Sequence, residues 1–225
     1  MNSDVLGLDV YAEERTTVTE KAYHFIKRLF DIIVSLIGLI FLIPTSLIIK
    51  LAYIFNGDFH RIIFTQDRIG KNGKHFKFYK FRSMVVNADE VLFKTLELDK
   101  NVAKEYKENK KLKQDPRITK VGKVIRKTSI DELPQLINVL KGDMSLIGNR
   151  PYLPREKDDM GLYFDNIIKT KPGITGYWQV SGRSNVTFKK RLELESYYSN
   201  NASLKIDIKI FFKTFSVVLF GKGAK

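Results

Sequence analysis

Two adjacent carboxylates, Asp131 and Glu132, stand in the stretch RKTSIDELPQLINVLKGDMSLIGNRP, with Arg126 before them and Arg150 after them. In an otherwise basic protein, an acidic pair between arginines suits chemistry on phosphates. The arginines hold the anion, and a carboxylate acts as nucleophile, general base or magnesium ligand. The competing reading is architectural. Ser129 with Glu132 three residues later is a capping-box pattern, and Leu133, Leu136, Ile137 and Leu140 repeat at helical spacing. Both acids therefore also suit a helix N-terminus, where they complement the helix dipole. Pro134 would remove an interior hydrogen bond if Ser129 is the N-cap but sits in the tolerant first turn if Asp131 is, so the two stand as alternative N-caps.

A second stretch suited to ligands is KPGITGYWQVSGR, residues 171–183, which sets three glycines and a proline around a short apolar segment. Such a loop lets backbone amides approach a ligand, and Gly173 and Thr175 are its candidate contacts. It matches neither the Walker loop nor the dinucleotide fingerprint. The chain has no cysteine, so thiol nucleophiles, thiolate metal sites and disulfides are excluded, and His24, His60 and His75 are too scattered to form a zinc site.

The elements that must position these residues begin with a polar, acidic segment, 1–20, that reads as a mobile tail and not as a signal peptide. From Ile32 to Ile49 there are 18 uncharged residues. As a helix these would measure ~27 Å against ~30 Å of hydrocarbon. Lys21, Lys27 and Arg28 precede the run, while Lys50, Arg61, Arg68 and Lys71 follow it, so the positive-inside rule draws both ends to the cytoplasm. Pro44 interrupts the run and frees the carbonyl of Ile40. A re-entrant helix-break-helix over residues 21–55 reconciles these features, with a kinked single span and a buried core helix as the alternatives.

Residues 60–84 read as a β-hairpin turning at Asn72-Gly73, with Phe76, Phe78 and Phe81 interleaved with Lys77, Lys80 and Arg82. Asn87 and Glu90 start a charged, solvated helix that ends before Asp115-Pro116. Residues 142–150 read as a turn and a short strand. From Leu204 to Phe220, Lys205, Lys209 and Lys213 recur every four residues, with Ile206, Ile210, Phe211, Phe215 and Val218 elsewhere around the helix. That pattern suits an interfacial helix, and equally a helix packed on the core. The expected fold is mixed α/β and predominantly helical: a re-entrant membrane helix followed by a small cytoplasmic domain, residues 56–225, with a β-hairpin and interfacial amphipathic helices. Formal charge is +14, and because the first 20 residues hold five acids against Arg15, the remainder carries about +18. An excess of that size calls for an anionic partner, whether a phosphorylated substrate, an anionic membrane surface or nucleic acid.

FKFYKFRSM, RKTSIDELPQLINVLKGDMSLIGNRP and KPGITGYWQVSGR, in this order after a proline-interrupted apolar segment, resemble the bacterial sugar transferases, the monotopic phosphoglycosyl transferases. The resemblance runs from Lys27 to the C-terminus. It implies transfer of a sugar 1-phosphate, expected to be hexose 1-phosphate, from a UDP-sugar to polyprenyl (undecaprenyl) phosphate. UMP is released, at the cytoplasmic face of the bacterial inner membrane, to initiate capsule, exopolysaccharide or O-antigen synthesis. By the same resemblance Asp131 is the nucleophile, and Glu132 its partner in base or Mg²⁺ duty. Arg126, Arg150 and Arg183 position phosphates, Lys80 and Arg82 lie near the nucleotide, and Pro44 breaks the membrane helix. The pair would share the magnesium, anionic lipid is an expected partner and nucleic acid is not, and a homo-oligomer is compatible with the sequence. Two departures stand out. Asn149 replaces the proline of the usual G-P-R-P, which would loosen the loop aiming Arg150, and Ile43 replaces the serine often found before the membrane proline. The rival class is a membrane-tethered basic protein that binds anionic lipid or nucleic acid without catalysis.

Overall fold

An 18-residue apolar run beside a basic domain must find either lipid or a core, and here part of it is buried against the domain while part stays exposed. The computed structural model describes residues 17–182 and 186–219, and side chains at 20–182 and 186–214. The tail expected over 1–20 therefore lies largely outside the described residues. Helix α1 (Thr17–Ile40) and helix α2 (Leu42–Phe55) meet at a bend of 47°. The break falls at Phe41, three residues before Pro44. Proline occupies the first turn of α2, where it needs no intrahelical donor and leaves the Ile40 carbonyl without one. No single helix among the described residues is long and apolar enough to cross a membrane, while the bent pair taken together has the length and composition of a broken span or a re-entrant loop. Its outer face carries exposed Phe25, Leu29, Leu36, Ile40, Ile43 and Ile48, an area too large to leave in water.

Polar side chains of α1 tie this apolar pair to the rest. Arg28 donates to the carbonyls of Val139 and Leu140 at 2.5 and 2.7 Å, the open end of α6 (Gln135–Lys141). Asp31, fully buried, accepts from Ser145 Oγ and the Leu146 amide. Lys27 and Tyr23 both reach Asp207, which also accepts from Tyr198. At the other end of the pair, the Tyr53 hydroxyl donates to the Arg82 carbonyl.

Strands β1 (Ile63–Ile69) and β2 (His75–Phe81) form the expected antiparallel hairpin, with Ile63 opposite Phe81 and Ile69 opposite His75. The turn holds Asn72 and Gly73 at positive φ, 56° and 77°, as an Asn-Gly turn requires. The charged segment expected as one helix is two, α3 (Ala88–Leu98) and α4 (Lys100–Asn109). Asp99 adopts an extended conformation between them and caps α4 by accepting from the amides of Asn101 and Val102. After α5 (Lys120–Lys127), the acidic pair lies in a 3₁₀ turn, Ile130–Glu132, and α6 begins only at Gln135. Neither alternative N-cap holds. Ser129 is left-handed (φ 57°) with no side-chain capping bond, and Pro134 is the residue before the helix.

Strand β3 (Ser145–Ile147) pairs in parallel with β4 (Gly173–Thr175). Between them lie two one-turn helices, α7 (Lys157–Met160) and α8 (Phe164–Ile167). Helices α9 (Tyr177–Ser181), α10 (Phe188–Asn201) and α11 (Leu204–Leu219) complete the domain. The main core gathers Phe78, Leu136, Val139, Met144, Ile147, Tyr198, Ile206 and Ile210. Helix α11 reconciles its two sequence readings: Ile206 and Ile210 are buried, while Ile208 and Phe212 stay exposed beside Lys205, Lys209 and Lys213. The side chains of Phe215 and Val218 lie outside the described residues.

Arg28→Ala should lower stability by about 1–3 kcal/mol, the cost of uncapping buried carbonyls. Lys21→Ala, exposed on the same helix, should cost no more than about 0.5 kcal/mol. Thermal unfolding of the detergent-solubilised protein measures both, and equal losses would refute the docking role of Arg28.

Candidate active site

The 3₁₀ turn of the acidic pair is held against β2 by one residue of α6. Asn138, fully buried, accepts from the Tyr79 amide and donates to the Lys77 carbonyl, pairing with the strand as another strand would. That registration brings Lys80 beside Asp131. The carboxyl of Asp131 is only 8% exposed. Burial pushes its pKa up, while Lys80, Arg126 and its own backbone amide pull it back. Burial in turn pushes Lys80 down to about 8, against the pull of Asp131 and with the help of Arg126 and Arg68. Lys80 also lies over the ring of Phe64, its cross-strand neighbour, at 5.7 Å. A carboxylate and an ammonium thus share a dry site, each weakening the other's preference for the neutral form.

Glu132, half-buried, lines a cavity of about 290 Å³. Leu133, Leu136, Ile174, Thr175 and Val180 form much of its wall, which is mainly apolar, and Thr214 of α11 closes it. Thr175 bonds Thr214 at 2.7 Å, tying β4 to α11 at the cavity edge. Leu136 also packs at Gly38 of α1, where an added Cβ would lie 2.5 Å from its Cδ1. The cavity therefore adjoins the apolar helix pair.

Gly173 has a different task from the one its loop suggested. A Cβ there would stand 2.1 Å from the amide nitrogen of Gly148, and one on Gly176 would stand 2.1 Å from the Gly148 carbonyl oxygen. These glycines let two backbones approach each other, and the Gly173 amide is given to the Asn149 carbonyl. Arg82 is likewise committed. Its fork bonds both oxygens of Asp58 at 2.9 Å, its Nε donates to Arg61 O, and it stacks on Tyr53 at 4.4 Å. With these donors engaged at the junction of α2 and the hairpin, Arg82 has an architectural task there. Arg126 is exposed on the last turn of α5, near enough to Asp131 to act on its carboxyl. Arg183 lies outside the described residues.

Asn149 does not loosen its loop. Its buried Nδ2 lies within hydrogen-bonding distance of the Ile167 carbonyl, Thr170 Oγ1 and Ser199 Oγ, and its carbonyl accepts from Gly173. Arg150 follows, its amide bonded to Glu195 Oε1. Around it gather groups the sequence reasoning missed: Arg68 on β1, and Arg191 and Glu195 on α10. Their signal was present in the pattern, because Phe188, Arg191, Leu192, Glu195 and Tyr198 occupy the buried stripe of a helix, and two of the five are charged.

Among the described residues, no three His, Asp or Glu side chains gather as a metal cluster. Mg²⁺ does not need one. It is held by one or two carboxylates together with substrate phosphates, and the donor set of Asp131 and Glu132 fits that mode.

An acidic pair beside cations, on a domain docked to a bent apolar helix pair, marks a membrane-associated enzyme. The family model described as bacterial sugar transferase matches residues 22–221, and the chain belongs to that family. It is 46% identical, over 93% of its length, to an undecaprenyl-phosphate galactose phosphotransferase of Salmonella typhimurium, of which it covers 44%. It is 39% identical, over 88%, to the exopolysaccharide production protein ExoY of Sinorhizobium fredii, covering 87% of that protein. A UDP-N-acetylgalactosamine-undecaprenyl-phosphate N-acetylgalactosaminephosphotransferase of Aeromonas hydrophila is 38% identical over 90% of this chain, which covers 46% of it. The chain thus spans less than half the length of the Salmonella and Aeromonas relatives.

Turnover should fall on both sides of an optimum, on the acid side as Asp131 gains a proton and on the alkaline side as Lys80 loses one through about 8. Lys80→Gln should move the acid limb to higher pH, because the charge that lowers the Asp131 pKa is gone. Lys80→Arg should keep the acid limb and abolish the alkaline one. A pH–rate profile in which both variants match wild type would remove Lys80 from the site.

Proposed function

We propose that this protein transfers a sugar 1-phosphate, in the hexose class, from a UDP-sugar to polyprenyl phosphate and releases UMP, as the first step of assembling a bacterial surface polysaccharide. The observation that carries the reading is the placement of the pair: a buried Asp131 between Lys80 and Arg126, with Glu132 at an apolar cavity next to the membrane helices. The Asp131 carboxylate attacks the sugar-linked phosphorus, the bond to the bridging oxygen breaks, and UMP departs with that oxygen and its electron pair. The phosphate of the lipid then displaces Asp131, restoring the carboxylate. Glu132 serves the acceptor side, where it faces the cavity that suits a prenyl chain. Mg²⁺ held at Asp131 and Glu132 would offset charge on the phosphates.

The bent pair acts as a re-entrant anchor that enters and leaves through the cytoplasmic leaflet, with basic flanks at both ends on the cytoplasmic side and anionic lipid around them. This places the pair at headgroup depth, within reach of a soluble nucleotide sugar and of a lipid phosphate. Cysteines introduced at Ser3 and Asn56 should accordingly be labelled from the same side of the membrane. Labelling from opposite sides would replace the re-entrant anchor with a kinked span.

Enzyme mixed with UDP-sugar and Mg²⁺, without polyprenyl phosphate, should release about one UMP per site and gain the mass of a phosphosugar. Asp131→Asn should abolish both with little change in stability. Glu132→Gln should still label, more slowly, and lose more of the overall transfer. Intact-protein mass spectrometry with and without the lipid decides the matter, and a fully active wild type that never labels would end the covalent account.

A further inference from the structure

Arg191 is 3% exposed and Arg68 is 8% exposed, burial that arginine rarely accepts without a bound counter-ion. Arg191 has no hydrogen bond to its guanidinium among the described residues, and the buried Nε of Arg68, of Arg150 and of Arg191 has no acceptor. Arg150 is their common neighbour. Its charge depresses the protonation of Arg68, Lys111 and Arg191 alike, adding in each case to the larger effect of burial. Burial pushes Arg68 down to about 9.

The carboxylates nearby do not balance these cations. Glu156 accepts from the Leu153 amide and Glu195 from the Arg150 amide. Burial also pushes Glu195 up to about 7, so its own charge is only partial near neutrality. Three guanidiniums therefore face at most two carboxylates. An orphaned, buried Nε–H costs about 1–3 kcal/mol, and the fork of arginine matches phosphate oxygens. Repeated on three arginines that feel one another's charge, this describes a cluster suited to an anion bearing two charges.

Lys80 links this cluster to the acidic pair electrostatically, because it feels the charges of both Asp131 and Arg68. A diphosphate lying along that line has one phosphate at Asp131 and Lys80 and the next at the arginines. On the far side, Arg191 stacks at 4.7 Å on Trp178, the chain's single tryptophan, whose indole Nε1 is also buried and unpartnered.

We infer that Arg68, Arg150 and Arg191 form the pocket that holds the nucleoside monophosphate half of the donor, with Arg191 and Arg68 as positioning residues for the departing phosphate. The inference rests on the function proposed above and deepens it. Attack on the sugar-linked phosphorus leaves the second phosphate carrying the bridging oxygen as a dianion, and the pocket receives that charge as it develops. The lipid phosphate enters from the apolar cavity beside Glu132 and does not use the arginines.

Trp178 reports on the pocket directly. UMP titrated into the full-length, detergent-solubilised enzyme should change its fluorescence saturably, and calorimetry should give the same Kd. Arg191→Ala should weaken UMP binding about 10- to 100-fold, the range expected for lost charge-assisted hydrogen bonds. Arg191→Lys should recover part of it, and circular dichroism should show both variants folded. If Arg191→Ala does not fold, Arg191→Lys and Arg68→Lys carry the test, each expected to weaken UMP binding several-fold. In half-reactions, Arg191→Ala should slow UMP release from UDP-sugar, while phosphosugar transfer from isolated labelled enzyme to polyprenyl phosphate keeps its rate. Unchanged UMP affinity in the folded variants would overturn the assignment. So would inorganic phosphate binding as tightly as UMP, or polyprenyl phosphate displacing UMP. Equilibrium UMP binding needs no covalent step, so its outcome stands apart from the labelling of Asp131.

Discussion

The structure depends first on how an apolar helix is fastened to a polar domain, and the fastening is a helix end. Helix α6 finishes with the carbonyls of Val139 and Leu140, and Arg28 of α1 donates to both, beside the Gly142 amide that Val139 already accepts. One turn along, Asp31 takes a backbone amide and a hydroxyl from β3. Both bonds are made in the interior, where an unmet partner is costly, so α1 has one register against the domain. Because α6 also carries Asn138, which registers β2, the same short helix sets the height of the anchor and the distance between Lys80 and Asp131.

The second constraint is charge. A domain with this excess of cations separates them by function. Arg82 and Arg117 are consumed by their own carboxylates, Asp58 and Asp115. The lysines of α11 face outward, and the arginines around Glu195 are buried with fewer partners than donors. Surface cations are cheap to keep and contribute little. Buried ones left incomplete are expensive, and it is there that an anionic substrate would contribute most.

The sequence carried the hairpin, because its Asn-Gly turn and alternating aromatics are local signals, and it carried the bent apolar pair, because length, flanking charge and Pro44 act together. The acidic pair was legible as a pair, but its setting was not. The capping-box pattern implied a helix beginning at Ser129 or Asp131, whereas a left-handed Ser129 and Pro134 delay the helix and leave Asp131 in a tight turn. Local rules describe what a stretch does alone, and here β2 and Asn138 decide. Gly173 shows a related limit: glycine marks a close approach without saying to what, and in the fold it lies against Gly148. The arginine pocket comes from β1, the loop after β3 and α10, so only folding brings it together.

Asn149 shows what the chain gains by departing from the proline usual at that position. A proline would stiffen the Gly148–Pro151 loop from within, by restricting its own backbone. The asparagine instead cross-links the loop to Ile167 at the end of α8, to Thr170 and to Ser199 on α10. Rigidity that was covalent becomes tertiary, and it lasts only as long as those partners keep their places. Helix α8 is a single turn with little hold of its own. As temperature rises it is set to loosen before the core around Val139 and Met144, releasing Arg150 while most of the chain remains folded. The loop would then part from its supports before the core melts, and rejoin them on cooling.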